Sequence, residues 1–156
     1  LYDSTLRIAD RLRTAGVDLT VRVEPGITSI QALTAAHAIP LNALAEPVTI
    51  TTGRRLRREG WPLGVHTIVV MLDSGCAFEV LDPAGITIWW GAYLGMSQEA
   101  LVHGPLADSA PQIAARRAEL RAELQARVGL ARHVETHAYA AREDRIDDRL
   151  GDAVIV

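Results

Sequence analysis

Several short stretches of this chain combine residue types that can do chemistry. Glu24-Pro25-Gly26-Ile27-Thr28-Ser29-Ile30-Gln31 follows an alternating apolar run and leads into an apolar-periodic one. A strand, a tight turn and a helix start, in that order, leave first-turn amides without partners. Two hydroxyls, Thr28 and Ser29, stand beside them, and Gly26 lets a ligand approach the backbone closely. Such crevices at strand ends are common ligand sites in α/β folds. The same residues also make an ordinary capped helix after a turn, and the residues alone favour that plainer arrangement. Thr51-Thr52-Gly53-Arg54-Arg55 is a second candidate. Arginines grip carboxylates bidentately, so Arg54 and Arg55 suit an acidic substrate, although a solvated basic loop fits them equally. Met71, near the end of the apolar run from Thr67 to Leu72, is either a thioether contact or a core filler. Gly95, in Trp90-Gly91-Ala92-Tyr93-Leu94-Gly95-Met96-Ser97, could offer backbone to a ligand.

Other reactive types carry less. His133 and His137 have a zinc-compatible spacing. However, Glu135 falls in the wrong order for a zinc-protease motif and no third ligand is evident, so no metal is expected. Cys76 has no histidine and carboxylate pattern around it and reads as a packed thiol. Trp61, Trp89 and Trp90 read as core or interface residues. No catalytic residue can be named from the sequence.

The elements that must position these groups follow from periodicity. Residues 4–15 predict a helix, capped by Asp3 or Ser4, striped by Leu6, Ile8, Ala9 and Leu12 and ended by Gly16. Leu19, Val21 and Val23 alternate with polar residues as in a strand that stops at Pro25-Gly26. Thr28 or Ser29 opens a helix over 29–38 with Ile30, Leu33 and Ala36 inward, closed by Pro40. Val48–Thr52 is β-branched or threonine throughout, a strand. Gly53 to Gly64 is a basic loop or short helix. Thr67–Leu72 suits a strand buried on both faces, and Ile86–Leu94 is another strand. Asp108 or Ser109 caps a last helix with Pro111 in its first turn. Ile113, Leu120 and Leu124 lie on one face of it, and Glu123 on the other is spaced to pair with Arg127. Buried strands among amphipathic helices predict an α/β domain.

Three of these segments together, Leu1-Tyr2-Asp3-Ser4-Thr5, Glu24 to Ser29 and Ile50-Thr51-Thr52-Gly53-Arg54-Arg55, resemble the tetrapyrrole (corrin/porphyrin) methylases, which use S-adenosylmethionine. The resemblance runs from Leu1 to about Val128. It implies a tetrapyrrole methylase C-terminal domain, α/β, with a mixed sheet flanked by helices over 1–128, followed by an atypical polar tail over 129–156. It further implies that Leu1, Thr28, Ser29, Met71 and Gly95 contact S-adenosylmethionine. Met96 stands where the family usually has threonine, which leaves only a backbone contact there. Tyr2, Arg54 and Arg55 become substrate contacts for the carboxylate-rich precorrin. The Thr-Thr-Gly-Arg-Arg stretch is similar to members that methylate precorrin-5 with loss of acetate. Alternatives are another substrate within the family (a different precorrin, a protein or ribosomal RNA), or a silent binding or dimerisation module. Family members are commonly homodimers of two-domain chains. The Gly-Asp-Pro loop that precedes the segment matched by Leu1–Ile8 would lie upstream, so the chain is expected to be the second domain of a longer enzyme.

Composition agrees with this and excludes other classes. The 156 residues are 49% hydrophobic, enough for one core. A net charge of -3 argues against a basic nucleic-acid binder. No run of about 18 apolar residues exists to span a membrane. One cysteine precludes an internal disulfide and suits a reducing cytosol.

Overall fold

The computed structural model describes residues 3–134 and 153–155. In chain order the elements are α1 (Asp3–Thr14), α2 (Ser29–Ala36), β1 (Val48–Thr52), α3 (Gly53–Glu59), β2 (Thr67–Met71), β3 (Thr87–Ala92), β4 (Ala100–Pro105), α4 (Leu106–Val134) and β5 (Ala153–Ile155), with a 3₁₀ turn at Ala77–Val80.

The strands form one five-stranded sheet in the order β1-β2-β5-β3-β4. β1 and β2 pair parallel, with Thr52 opposite Met71. β5 runs antiparallel to both β2 and β3, so those two share a direction. β4 returns antiparallel along β3. The carboxyl ends of β1, β2 and β3 therefore lie on one side of the sheet.

The β-branched run of β2 lets it bury side chains on both faces. Ile68 and Val70 join the main core with Leu56, Phe78, Ile88, Trp90, Leu106, Ile113 and Leu120. Val69 points the other way, into a smaller core with Ile30 and Leu33 of α2, flanked by Met71, Trp89 and Leu94. The strand expected to be buried on both faces is so. His37 Nε2 donates to the Trp90 carbonyl at 3.0 Å and clips the end of α2 to β3.

Several expectations are corrected. The alternating segment at Leu19, Val21 and Val23 is not a strand. Alternation supplies one apolar face, but a strand also needs a hydrogen-bonding neighbour, and none of the described strands pairs with it. α2 ends at Ala36, before Pro40, because Ala38 turns left-handed at φ 53. Ala36 lies exposed. α4 begins at Leu106, not at Asp108 or Ser109. The Leu106 amide donates to the Ile86 carbonyl at 2.8 Å and its side chain is buried, which fixes the start. Pro111 thus falls inside the helix, where it withholds one backbone N–H. Glu123 lies 3.9 Å from Arg116, two turns back, rather than pairing forward with Arg127. β4 was not foreseen. Nor was β5, whose residues stand in the polar tail yet occupy the middle of the sheet.

Candidate cofactor site

Met71 ends β2 on the side of the sheet where β1 and β3 also end, and Ser29 meets it there. The Ser29 hydroxyl points at the Met71 sulfur, 4.0 Å away. Thr28 is the N-cap of α2, and the cap is closed in both directions. The Thr28 hydroxyl accepts from the Gln31 amide at 3.3 Å, while the Gln31 side-chain oxygen accepts from the Thr28 amide at 2.9 Å. The same hydroxyl also donates to Gln31 Oε1 at 3.2 Å. Thr28 is thus spent on building the helix start. The Ser29 hydroxyl oxygen and the amides of Ser29 and Ile30 remain for a ligand. Nothing lies within 4 Å of where a Cβ on Gly26 would sit, so the turn before them is open.

The turn after β3 reaches the same region. Leu94 packs in the smaller core beside Met71. Gly95 follows with a left-handed backbone, φ 74. Its amide is already taken, donating to Glu99 Oε2 at 2.7 Å, so of its backbone groups the carbonyl is the one left to a ligand. Met96 is exposed. The structure therefore groups Ser29, Met71 and the Leu94-Gly95 turn. Leu1 and Tyr2 lie outside the described residues, as do His137 and the side chain of His133.

The four arginines of α3 separate into different jobs. Arg57 donates to the buried carboxylate of Asp73 at 3.0 Å. Arg55 Nε and Arg58 Nη2 hold the two oxygens of Glu59 at 2.5 and 2.6 Å. Hydrogen bonds from Arg55, then from Arg58, hold the Glu59 carboxyl below its usual range. Arg54 is exposed and has no ion-pair partner among the described residues. Of the pair marked for substrate carboxylates, Arg54 is the one whose guanidinium is uncommitted.

Sequence reasoning missed the group that organises this end of the sheet. Asp73 is 1% exposed. Besides Arg57, its carboxylate accepts from the amides of Gly75 at 3.2 Å and Ala77 at 2.6 Å. Its carbonyl accepts from Arg117 of α4 at 3.0 Å, and the carbonyl of Ser74 accepts from Arg121. Asp73 thus ties the end of β2 to α3 and the 3₁₀ turn through its carboxylate, and to α4 through its carbonyl. Gly53 passes so close that an added Cβ would lie 2.7 Å from the Asp73 carboxyl carbon. The available signal was a lone aspartate closing an apolar run before Ser-Gly. Between Met71 and Asp73, Leu72 turns left-handed at φ 54 with its side chain 63% exposed. That backbone costs a branched residue about 1 kcal/mol or more relative to glycine. Cys76, read as a packed thiol, lies partly buried against the main core.

Comparison with known proteins places this geometry. The sequence profile of the tetrapyrrole (corrin/porphyrin) methylases matches residues 1–110 of the 156, which includes Ser29, Met71 and Gly95. The chain belongs to the tetrapyrrole methylases. Its mixed helices and sheet have the tetrapyrrole methylase fold. A precorrin-6A synthase (deacetylating) from Sinorhizobium sp. is 47% identical over 125 residues, which cover 80% of this chain and 48% of that protein. The crystal structure of a cobalamin-synthesis-related protein from Corynebacterium diphtheriae is 32% identical with a TM-score of 0.73. That likeness covers 99% of this chain and 56% of the other. The chain thus spans about half the length of these relatives. No described helix is long and apolar enough to cross a membrane.

Proposed function

We propose that this chain is the carboxyl-side half of an S-adenosylmethionine-dependent methyltransferase of cobalamin synthesis, which methylates precorrin-5 and releases acetate to give precorrin-6A. The observation that carries this reading is the 47% identity over 125 residues with a precorrin-6A synthase. That stretch is long enough to take in most of the described sheet. The pairing of Ser29 with Met71 at the carboxyl end of β2 supports it from the side of geometry.

The residues present fit the methyl donor. The Ser29 hydroxyl and the amides of Ser29 and Ile30 suit its polar groups, and Met71 with Leu94 gives an apolar wall for its base. S-adenosylmethionine supplies an activated methyl on a sulfonium. The protein's contribution is then alignment of that methyl with a ring carbon, which by itself accounts for much of a barrier. A wall of thioether, hydroxyl and backbone needs no strong base for that step. Arg54, exposed on α3 beside the carboxyl end of β1, is placed to take a precorrin carboxylate.

The other half of the relatives' length belongs to the working site in this reading. The apolar side of α1 supports that. Leu6, Ile8 and Leu12 are 36%, 58% and 42% exposed, a stripe with no cover among the described residues. We assign it, with residues 17–27, to packing against that other half. In the full enzyme a homodimer in the cytosol is the expected state.

The test is an assay on the polypeptide extended upstream to the length of its relatives, supplied with S-adenosylmethionine and precorrin-5. S-adenosylhomocysteine and acetate should form in equal amounts. S-adenosylhomocysteine formation on a different precorrin without acetate would move the chain to another branch of the family. No turnover of any precorrin would remove the reading.

A further inference from the structure

Five non-glycine residues of the described chain hold a left-handed backbone: Ala38, Ala45, Leu72, Cys76 and Tyr93. The two alanines carry the smallest side chain that has a Cβ. Cys76 and Tyr93 pack against the main core, so the fold uses their side chains. Leu72 differs from all four. It is large and branched, it is 63% exposed, and it belongs to neither core. Glycine would make the same turn without strain. The Leu72 side chain therefore imposes a cost on the fold and gains little burial among the described residues to offset it.

Its neighbours explain how the strain is held. Asp73, next in the chain, is anchored by Arg57, by the amides of Gly75 and Ala77 and by Arg117 on its carbonyl. Met71, just before it, is the last residue of β2 and is opposed by the Ser29 hydroxyl. The left-handed turn is thus clamped from both sides. Strained backbone that its surroundings over-determine is typical of ligand sites.

We propose that Leu72 is a cofactor-contact residue, whose side chain extends the apolar surface of Met71 for the flat face of the purine of S-adenosylmethionine. This inference rests on the cofactor reading above. Purine faces are weakly hydrated and gain from burial against apolar side chains. A contact of this kind gives the Leu72 side chain a use that the fold does not.

The test pairs thermal unfolding with calorimetric titration of S-adenosylhomocysteine, using the polypeptide extended to the relatives' length. Leu72→Gly should melt at or above the wild-type temperature, because it relieves the turn, yet bind S-adenosylhomocysteine about tenfold more weakly. Leu72→Ala, which keeps the left-handed strain, should lose about as much affinity, and Leu72→Met should restore most of it. A purely structural residue would move stability and affinity in the same direction. Wild-type affinity in both Leu72→Gly and Leu72→Ala would overturn the inference, and so would a lowered melting temperature for Leu72→Gly. If the wild-type polypeptide itself binds nothing, the cofactor reading falls and takes this inference with it. Wild-type binding with indifferent variants removes this inference alone.

Discussion

Ile8 and Ile68 are the same residue in two regions with opposite fates. Ile68, on β2, is fully buried in the main core. Ile8, on α1, is 58% exposed, although its helix has an equally clear apolar stripe. The sheet body closes its own core from β2, β3, α3 and α4. The segment from Asp3 to Ile27 does not: Val17, Val23 and Ile27 are 46%, 52% and 84% exposed, and Ala9 is its one buried hydrophobic residue. Amphipathic pattern is enough to form a helix, but burial needs a second surface. About half the length of the relatives is not spanned by this chain, and the first region is the one we assign to packing against that half.

The largest effect should come from β5. Ending the chain after Asp152 removes the strand that joins β2 to β3. Urea unfolding followed by circular dichroism should lose its single cooperative transition, because two interior strands become edges.

The comparison itself is sharpened by a matched pair. Ile68→Ala should destabilise this chain by about 2–5 kcal/mol. Ile8→Ala should change it by no more than about 0.5 kcal/mol. Equal losses would erase the distinction between the two regions. Next is Asp73→Ala, which takes the acceptor from Arg57, from the Gly75 amide and from the buried Ala77 amide. It should cost about 1–3 kcal/mol, and a loss well below about 1 kcal/mol would show that the carboxylate does not organise this end of the sheet. The smallest effect concerns α3. The Glu59 carboxyl is held below its ordinary value near 4.5 by Arg55 and Arg58. A lowered folded value stabilises above the unfolded one and is lost as pH falls through the folded one. Glu59→Gln should therefore abolish a slight acid-side loss of stability, read from melting curves between neutral pH and pH values below 4.5.

Much of this was legible in the sequence where the signal is local. The hydroxyls of Thr28 and Ser29 announced a helix start, and the structure makes Thr28 the cap, with both hydrogen bonds of a capping box to Gln31. The β-branched run of β2 announced a strand buried on both faces. What was not legible depends on distant partners. Leu19, Val21 and Val23 have strand alternation without a neighbouring strand. β5 is three residues in a polar stretch, and its place is decided by Val69, Val70, Trp89, Trp90 and Gly91 far earlier in the chain. At the candidate site, Ser29 and Met71 could be marked from a motif. The pairing of Arg55 with Glu59 and of the Gly95 amide with Glu99 spans four residues each, a spacing that was available in the sequence and was not used; the Asp73 anchor joins different elements, which spacing along a chain does not encode.

The central claim is that Ser29 and Met71 form part of an S-adenosylmethionine site completed by the other half of the enzyme. Calorimetric titration of S-adenosylhomocysteine into this chain, and into the polypeptide extended upstream to the length of its relatives, tests it most directly. The account expects saturable binding to the extended polypeptide only, weakened about tenfold or more by Met71→Ala. Absence of binding to either polypeptide, or binding indifferent to Met71→Ala, would contradict it.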